Sequence, residues 1–191
     1  MVLAQEALSQ LELDCVLLMP MGVPPHRELA DDPGADARFE LAEAAAGGDD
    51  SFEASRLEVD REGPSYTVET LRELRDSGSD ELVLILGGDQ AATLRQWREP
   101  ERVLELATVA ATERGAWRRA GIFVEAADLR NSERLRFFEM PPIGLSSSMI
   151  RRRVARGQPI RYLVPDGVME LIESRGLYRD AQARRAPVAA T

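Results

Sequence analysis

The chain of 191 residues contains no lysine; all 24 of its basic residues are arginine. A lysine nucleophile, a Schiff base and a phosphate loop built on lysine are thereby excluded. Cysteine is nearly absent as well. The single Cys15 can form neither an internal disulfide nor a thiolate metal cluster, which suits a reducing cytosol, and a small buried apolar side chain is the expectation for it. There is also one histidine, His26. A Ser-His-Asp triad, a HExxH zinc site or a multi-histidine metal centre would have to be built around it alone, and it lacks the neighbours. Long apolar runs are missing, so no transmembrane span is expected, and the opening segment carries Glu6, Glu12 and Asp14, unlike a secretory leader. A cytoplasmic protein with no membrane partner is the expectation. Positive charge is in short supply, with 24 arginines against 33 acidic residues and a net charge of −9. That balance argues against a protein that grips nucleic acid, and any anionic ligand must meet a local positive site.

What is present is the composition of an ordinary globular domain, 44% hydrophobic and 30% charged, in a chain long enough for one sizeable core. Leu3, Ala7, Leu8 and Leu11 recur at helical spacing from the second residue onward. Cys15 to Met19 is a short continuous apolar run ended by Pro20, which reads as a strand buried on both faces. The loop after it, Pro20 to Arg27, is stiffened by three prolines. An Ala-rich helix over Ala35–Ala46 follows, then a strand over Phe52–Val59. Ser65 is the expected cap of a helix Thr67–Arg75, whose Val68, Leu71 and Leu74 form a buried stripe. Leu82 to Leu86 reads as the clearest buried strand and runs into Gly87-Gly88-Asp89 and a helical region through Leu106. Strands near Thr108–Ala111 and Leu135–Met140 and helices near Ser147–Arg156 and Pro165–Arg175 complete the pattern, with a frayed tail over 179–191. Strands alternating with helices predict an α/β fold, a mostly parallel doubly wound sheet with helices on both faces. Ligands of such sheets sit at the carboxyl ends of the strands, so the loops after Met19, Leu86 and Met140 carry the information.

Three of these loops and a fourth segment offer chemistry. Ser146-Ser147-Ser148 opens a helix, where free backbone amides and hydroxyls favour an anion, and Arg151 lies one turn in, able to add a charge-assisted contact. The bland alternative is an ordinary serine-capped helix. Gly87-Gly88-Asp89 puts two residues without side chains and one carboxylate at a strand end, suited to a ribose or a nucleotide held close to the backbone, or simply to a turn. Trp97 could stack on a flat ring or serve as core. Pro24-Pro25-His26-Arg27 sets the lone histidine beside an arginine on a rigid corner, where a phosphate or ribose could be gripped or where the loop is only structural. Gly63-Pro64-Ser65-Tyr66-Thr67 sets hydroxyls and an aromatic ring at a helix start.

Taken in order, these segments resemble the bacterial nicotinate-nucleotide adenylyltransferases of the nucleotidyltransferase α/β superfamily. The stretches that carry the likeness are Pro24-Pro25-His26-Arg27; Ser65-Tyr66-Thr67 with Thr70-Leu71; Gly87-Gly88-Asp89 with Leu94 and Trp97; and Leu145 to Arg151 followed by Tyr162-Leu163-Val164-Pro165 and Gly176-Leu177-Tyr178. The resemblance implies a Rossmann-like domain over residues 1–178. It implies transfer of AMP from ATP to nicotinate mononucleotide, yielding nicotinate adenine dinucleotide and pyrophosphate, with Mg²⁺ on the phosphates. The partners it implies are those two nucleotides, in a chain that could form a homo-oligomer. Carried over by motif, Ser147, Ser148 and Arg151 would hold the ATP phosphates and Gly87 and Asp89 the nucleotide. Thr67 and Trp97 would face the nicotinate ring, with His26 and Arg27 as further substrate contacts. Two departures stand out. The family's Pro-Pro-His-Lys ends here in Arg27, which keeps charge but not shape. The Gly-Gly-Thr-Phe-Asp-Pro-x-His-x-Gly-His loop that follows the family's first strand does not occur in this sequence. The expectation is therefore a chain without that strand and histidine loop and, on that account, without the family's catalytic residues. Acceptors such as nicotinamide mononucleotide or phosphopantetheine, and a non-catalytic nucleotide-binding module, are the alternatives.

Overall fold

In a computed structural model, residues 1–24, 32–78, 81–113 and 118–179 are described. They fold as two compact units. One comprises Met1–Val16 with Asp60–Pro142, the other Leu17–Val59 with Ile143–Thr191. Among the described residues no helix is long and apolar enough to cross a membrane.

The first unit is built on three strands, β3 (Val83–Gly87), β4 (Thr108–Thr112) and β5 (Leu135–Phe137), paired in parallel in that order. Their side chains alternate between two apolar layers, as the two-residue period of a strand requires. On one face Leu84, Leu86, Val109, Ala111, Leu135 and Phe137 pack with the helices α3 (Thr67–Asp76) and α5 (Pro100–Leu106) through Val68, Leu71, Val103 and Leu104. On the other, Val83, Ile85, Ala110 and Phe138 meet Leu3, Ala7 and Leu11 of the opening segment, where α1 spans Val2–Gln10. Helices thus cover both faces of a parallel sheet, the expected α/β arrangement. Gln10 fastens α1 to the end of the sheet. Its side-chain amide donates to the Glu139 carbonyl at 2.7 Å, and its oxygen accepts the Glu139 N–H at 2.9 Å. The polar end of a helix thereby replaces the next rung of a ladder, and β5 stops at Phe137 rather than Met140. A short helix α4 (Gly88–Ala91) follows β3, and α6 (Arg119–Ala126) lies between β4 and β5.

The second unit holds β1 (Val16–Leu18, its first residue counted with the other unit) and β2 (Phe52–Ala54), which form a two-stranded sheet. Around it stand α2 (Ala35–Ala46), α7 (Ser147–Ala155) and α8 (Asp166–Arg175). Ile150, Ile160 and Ile172 form its apolar centre, with Leu41, Met169 and Tyr178 against them.

Several expectations need correction. The run after Asp14 is not buried on both faces: Val16 is buried, but Leu17 is exposed and so is Cys15. A strand with one sheet neighbour has too few layers around it to cover both sides. Likewise β3 is an edge of its sheet, and of its residues only Leu86 is buried, the rest being half-covered. The strand expected over Phe52–Val59 ends at Ala54. The Ser55 hydroxyl accepts the Leu57 N–H at 3.3 Å, a local turn that competes with further strand pairing. The residue capping α3 is Tyr66, not Ser65, which is buried. The predicted strands also divide between two sheets of two and three strands rather than one.

Candidate functional site

Within the first unit, β3 delivers Gly87 to the carboxyl edge of the sheet, opposite Thr112 of β4 in the register. The chain turns there directly into α4, so Gly88 is buried and Asp89 stands exposed at the first turn. A strand end leading into a helix start is the geometry in which a parallel sheet presents backbone amides to a ligand.

Thr67 opens α3, half-buried, two residues after the buried Ser65. Tyr66 supplies no side-chain cap to this helix. The positive end of this ten-residue helix carries one acidic side chain in its first turn, Glu69. Trp97 ends a 3₁₀ turn over Leu94–Gln96. Its ring is half-buried against the main core, and its indole N–H donates to Thr93 Oγ1 at 3.3 Å. Trp97 is thus partly core and partly surface. The next residue, Arg98, lays its guanidinium over the Tyr66 ring at 4.6 Å. The Trp97 segment and the start of α3 therefore lie side by side.

A group of side chains absent from the sequence reading binds those two segments. Arg72 pairs with Glu69 at 3.2 Å and with Glu99 at 2.5 Å, while Arg98 lies 3.6 Å from Glu69 and 3.9 Å from Glu99. The bond to Glu99, helped by that to Glu69 and against the lowering by burial, holds Arg72 above its already high ordinary value. Only the spacing of Glu69 and Arg72, three apart on one helix face, was visible in the sequence.

Within the second unit, Ser146 caps α7, its hydroxyl accepting the Met149 N–H at 3.2 Å. Ser147 and Ser148 are then the first two helical residues, both exposed. Their hydroxyls are not spent on the cap, since Ser146 alone does that work. Arg151 donates from Nη2 to Ser148 Oγ at 3.3 Å, so one guanidinium and one hydroxyl face the same way at a positive helix end. Burial pushes the Tyr178 phenol above its ordinary value, and the field of Arg151 acts on it in the opposite direction. Arg38 of α2 grips the loop after β1. Its Nε and Nη2 donate to the Met21 carbonyl at 3.1 and 2.8 Å, Nη2 donates to that of Gly22 at 2.7 Å, and Nη1 pairs with Asp32. His26 and Arg27 lie outside the described residues. No three His, Cys, Asp or Glu side chains gather as a metal cage among the described residues.

A parallel sheet covered by helices on both faces places the chain among the α/β proteins. Residues 1–153 match the model of the cytidylyltransferase-like family. A "Probable nicotinate-nucleotide adenylyltransferase" of Rubrobacter xylanophilus is 37% identical over 187 residues, 97% of this chain and 87% of that protein. Proteins of the same name from Roseiflexus sp. and Tropheryma whipplei are 39% and 38% identical; each match covers 94% of this chain, and 90% and 91% of those proteins. The fold matches that of Plasmodium falciparum nicotinic acid mononucleotide adenylyltransferase complexed with NaAD. The TM-score is 0.66 at 12% identity, across 93% of this chain and 87% of that one. The chain belongs to the cytidylyltransferase-like family and, within it, to the nicotinate-nucleotide adenylyltransferases.

Proposed function

We propose that this protein transfers AMP from ATP to nicotinate mononucleotide in the synthesis of NAD, in the cytoplasm. The observation that carries this reading is its likeness, over nearly the whole chain, to proteins of that name. A phosphate oxygen of the mononucleotide attacks the α-phosphorus of ATP. The new P–O bond forms as the α–β bridge breaks, and pyrophosphate leaves with the electron pair. Such a reaction needs placement and charge dispersal more than a covalent partner, which suits a chain without lysine; without the family's histidine loop the expected consequence is a low rate of the same reaction.

In this reading residues 1–178 form the nucleotidyltransferase domain. Ser147 and Ser148 offer amides and hydroxyls to the ATP phosphates, and Arg151 adds a fixed positive charge. Gly87 lets the nucleotide approach the backbone, and Asp89 accepts from a ribose hydroxyl. Trp97 offers its exposed flank to the pyridine ring. Thr67 begins a helix whose positive end complements the nicotinate carboxylate, a preference a neutral carboxamide would not share. His26 and Arg27 are assigned to the same substrate. A divalent ion, Mg²⁺, would accompany the ATP phosphates held by Ser147, Ser148 and Arg151. When bound, it would supply charge neutralisation on the leaving pyrophosphate.

The test is to mix the purified protein with ATP, Mg²⁺ and either mononucleotide and to separate the products. Nicotinate adenine dinucleotide and pyrophosphate in equal amounts are expected; no product, or preference for the nicotinamide form, overturns the reading. Arg151→Ala should weaken the use of ATP by about 1.5–3 kcal/mol, the worth of a charge-assisted hydrogen bond. An unchanged KM for ATP removes Arg151 from the site.

A further inference from the structure

The four charged side chains Glu69, Arg72, Glu99 and Arg98 form a closed ring in which each carboxylate touches both guanidinium groups. The contacts run from 2.5 to 3.9 Å. Two of its members stand on the first two turns of α3, and two belong to the turn that carries Trp97. All are between a third and a half exposed, so such pairs add little to stability. Geometry is what they can supply.

The backbone points the same way. Glu99 has a φ of +50°, a left-handed conformation that costs a residue with a side chain, and Pro100 after it makes a helical conformation harder still. Such a residue persists where its surroundings over-determine it. Here Pro100 opens α5 behind it, and Arg72 holds its carboxylate in front at 2.5 Å. Arg98 is held in turn from below by the Tyr66 ring.

We propose that this ring is a positioning device, fixing the Trp97 segment against the start of α3, the two segments to which the pyridine end of the mononucleotide is assigned. The inference rests on the function proposed above. Arg72 and Glu99 are positioning residues; they touch neither substrate. Arginine suits the role because its planar fork can serve two carboxylates at once, where an ammonium is a single point charge.

The experiment is a double-mutant cycle on the full chain with Arg72→Ala, Glu99→Ala and the pair combined. Isothermal titration reads nicotinate mononucleotide and ATP separately. Each single substitution should weaken mononucleotide binding about two- to fivefold, and the double should weaken it no further, because breaking a ring once releases it. ATP binding should stay unchanged in all three, which a merely unfolded or loosened variant would not show. Equal mononucleotide affinity in wild type and single variants overturns the inference alone, as does a parallel loss of ATP. A wild-type chain that fails to bind the mononucleotide overturns the functional reading first.

Discussion

The two units order themselves by different means. In the sheet unit Leu94, Val103, Leu104, Val109 and Ile122 are wholly excluded from solvent, and apolar burial on both faces of a parallel sheet fixes its elements. In the other unit, among the described residues, the buried set is Phe52, Glu58, Ile150, Ile160 and Ile172, each still 3–8% exposed. Arginine joins elements there as it also does in the sheet unit, where Arg72 and Arg130 reach Glu99 and Glu101, but without a wholly excluded core beneath. Arg38 holds the carbonyls of Met21 and Gly22, Arg153 donates twice to the Pro159 carbonyl, Arg56 reaches Asp36, and Arg175 reaches Glu40 at 2.6 Å. The difference teaches that close packing and ion pairing are alternative ways of fixing an element. The segments assigned to the pyridine ring stand on a tightly packed layer, where small displacements are resisted by volume. The helix assigned to the ATP phosphates stands on a lighter one, where charge and hydrogen bonds direct the chain.

The comparison breaks most readily at its cores. Leu104→Ala, at a site wholly closed to solvent, should cost toward the upper end of about 2–5 kcal/mol, and Ile160→Ala toward the lower end. Urea denaturation followed by tryptophan fluorescence and circular dichroism measures both; equal losses would dissolve the distinction. A smaller effect sharpens it. A Cβ on Gly22 would lie 2.1 Å from the Glu58 carbonyl oxygen and 3.3 Å from the Val59 Cα. Backbone must move to admit it, so Gly22→Ala should cost about 1–3 kcal/mol despite the light packing of its unit. A melting temperature equal to wild type would show that this backbone gives way freely.

The same contrast explains what could be read from the sequence. Most of the sheet unit was legible because its apolar residues follow the periods of strand and helix, as Val83–Gly87 and Thr67–Asp76 do. The helix Ser147–Ala155 was legible because Ser146 caps it locally. Helix α6 was not. Its Gly121, Ile122 and Val124 are poor helix formers, and Glu113, six residues ahead of its start, accepts the Arg119 N–H at 3.1 Å. That bond, first among several with arginine, holds Glu113 below the usual carboxylate range. Non-local caps leave no local signature. The ring around Arg72 escaped for the same reason: Glu99 lies 27 residues from its partner. Exposure of Cys15 and Leu17 was also illegible, since an apolar run does not reveal how many strands will lie beside it.

The smallest expected effect concerns the charge that holds the lighter unit. Partial burial pushes the Asp32 carboxyl up, but the Arg38 bond and the Gly34 N–H outweigh it and hold the group below its ordinary 3.8. A carboxyl depressed in the folded state stabilises above its unfolded value, and that contribution is lost as the pH falls from about 3.8 through the lower folded value. The pair is about a third exposed on the Asp32 side, so at neutral pH Asp32→Asn should cost only about 0.2–1 kcal/mol. The gap between variant and wild type should close on acidification through that window. Amide hydrogen exchange at pH 7 and well below pH 3.8 locates the change. Faster exchange in Asp32→Asn confined to α2 would bear out the arginine-held unit, whereas loss spread equally over β3–β5 would show that the sheet depends on the same charge.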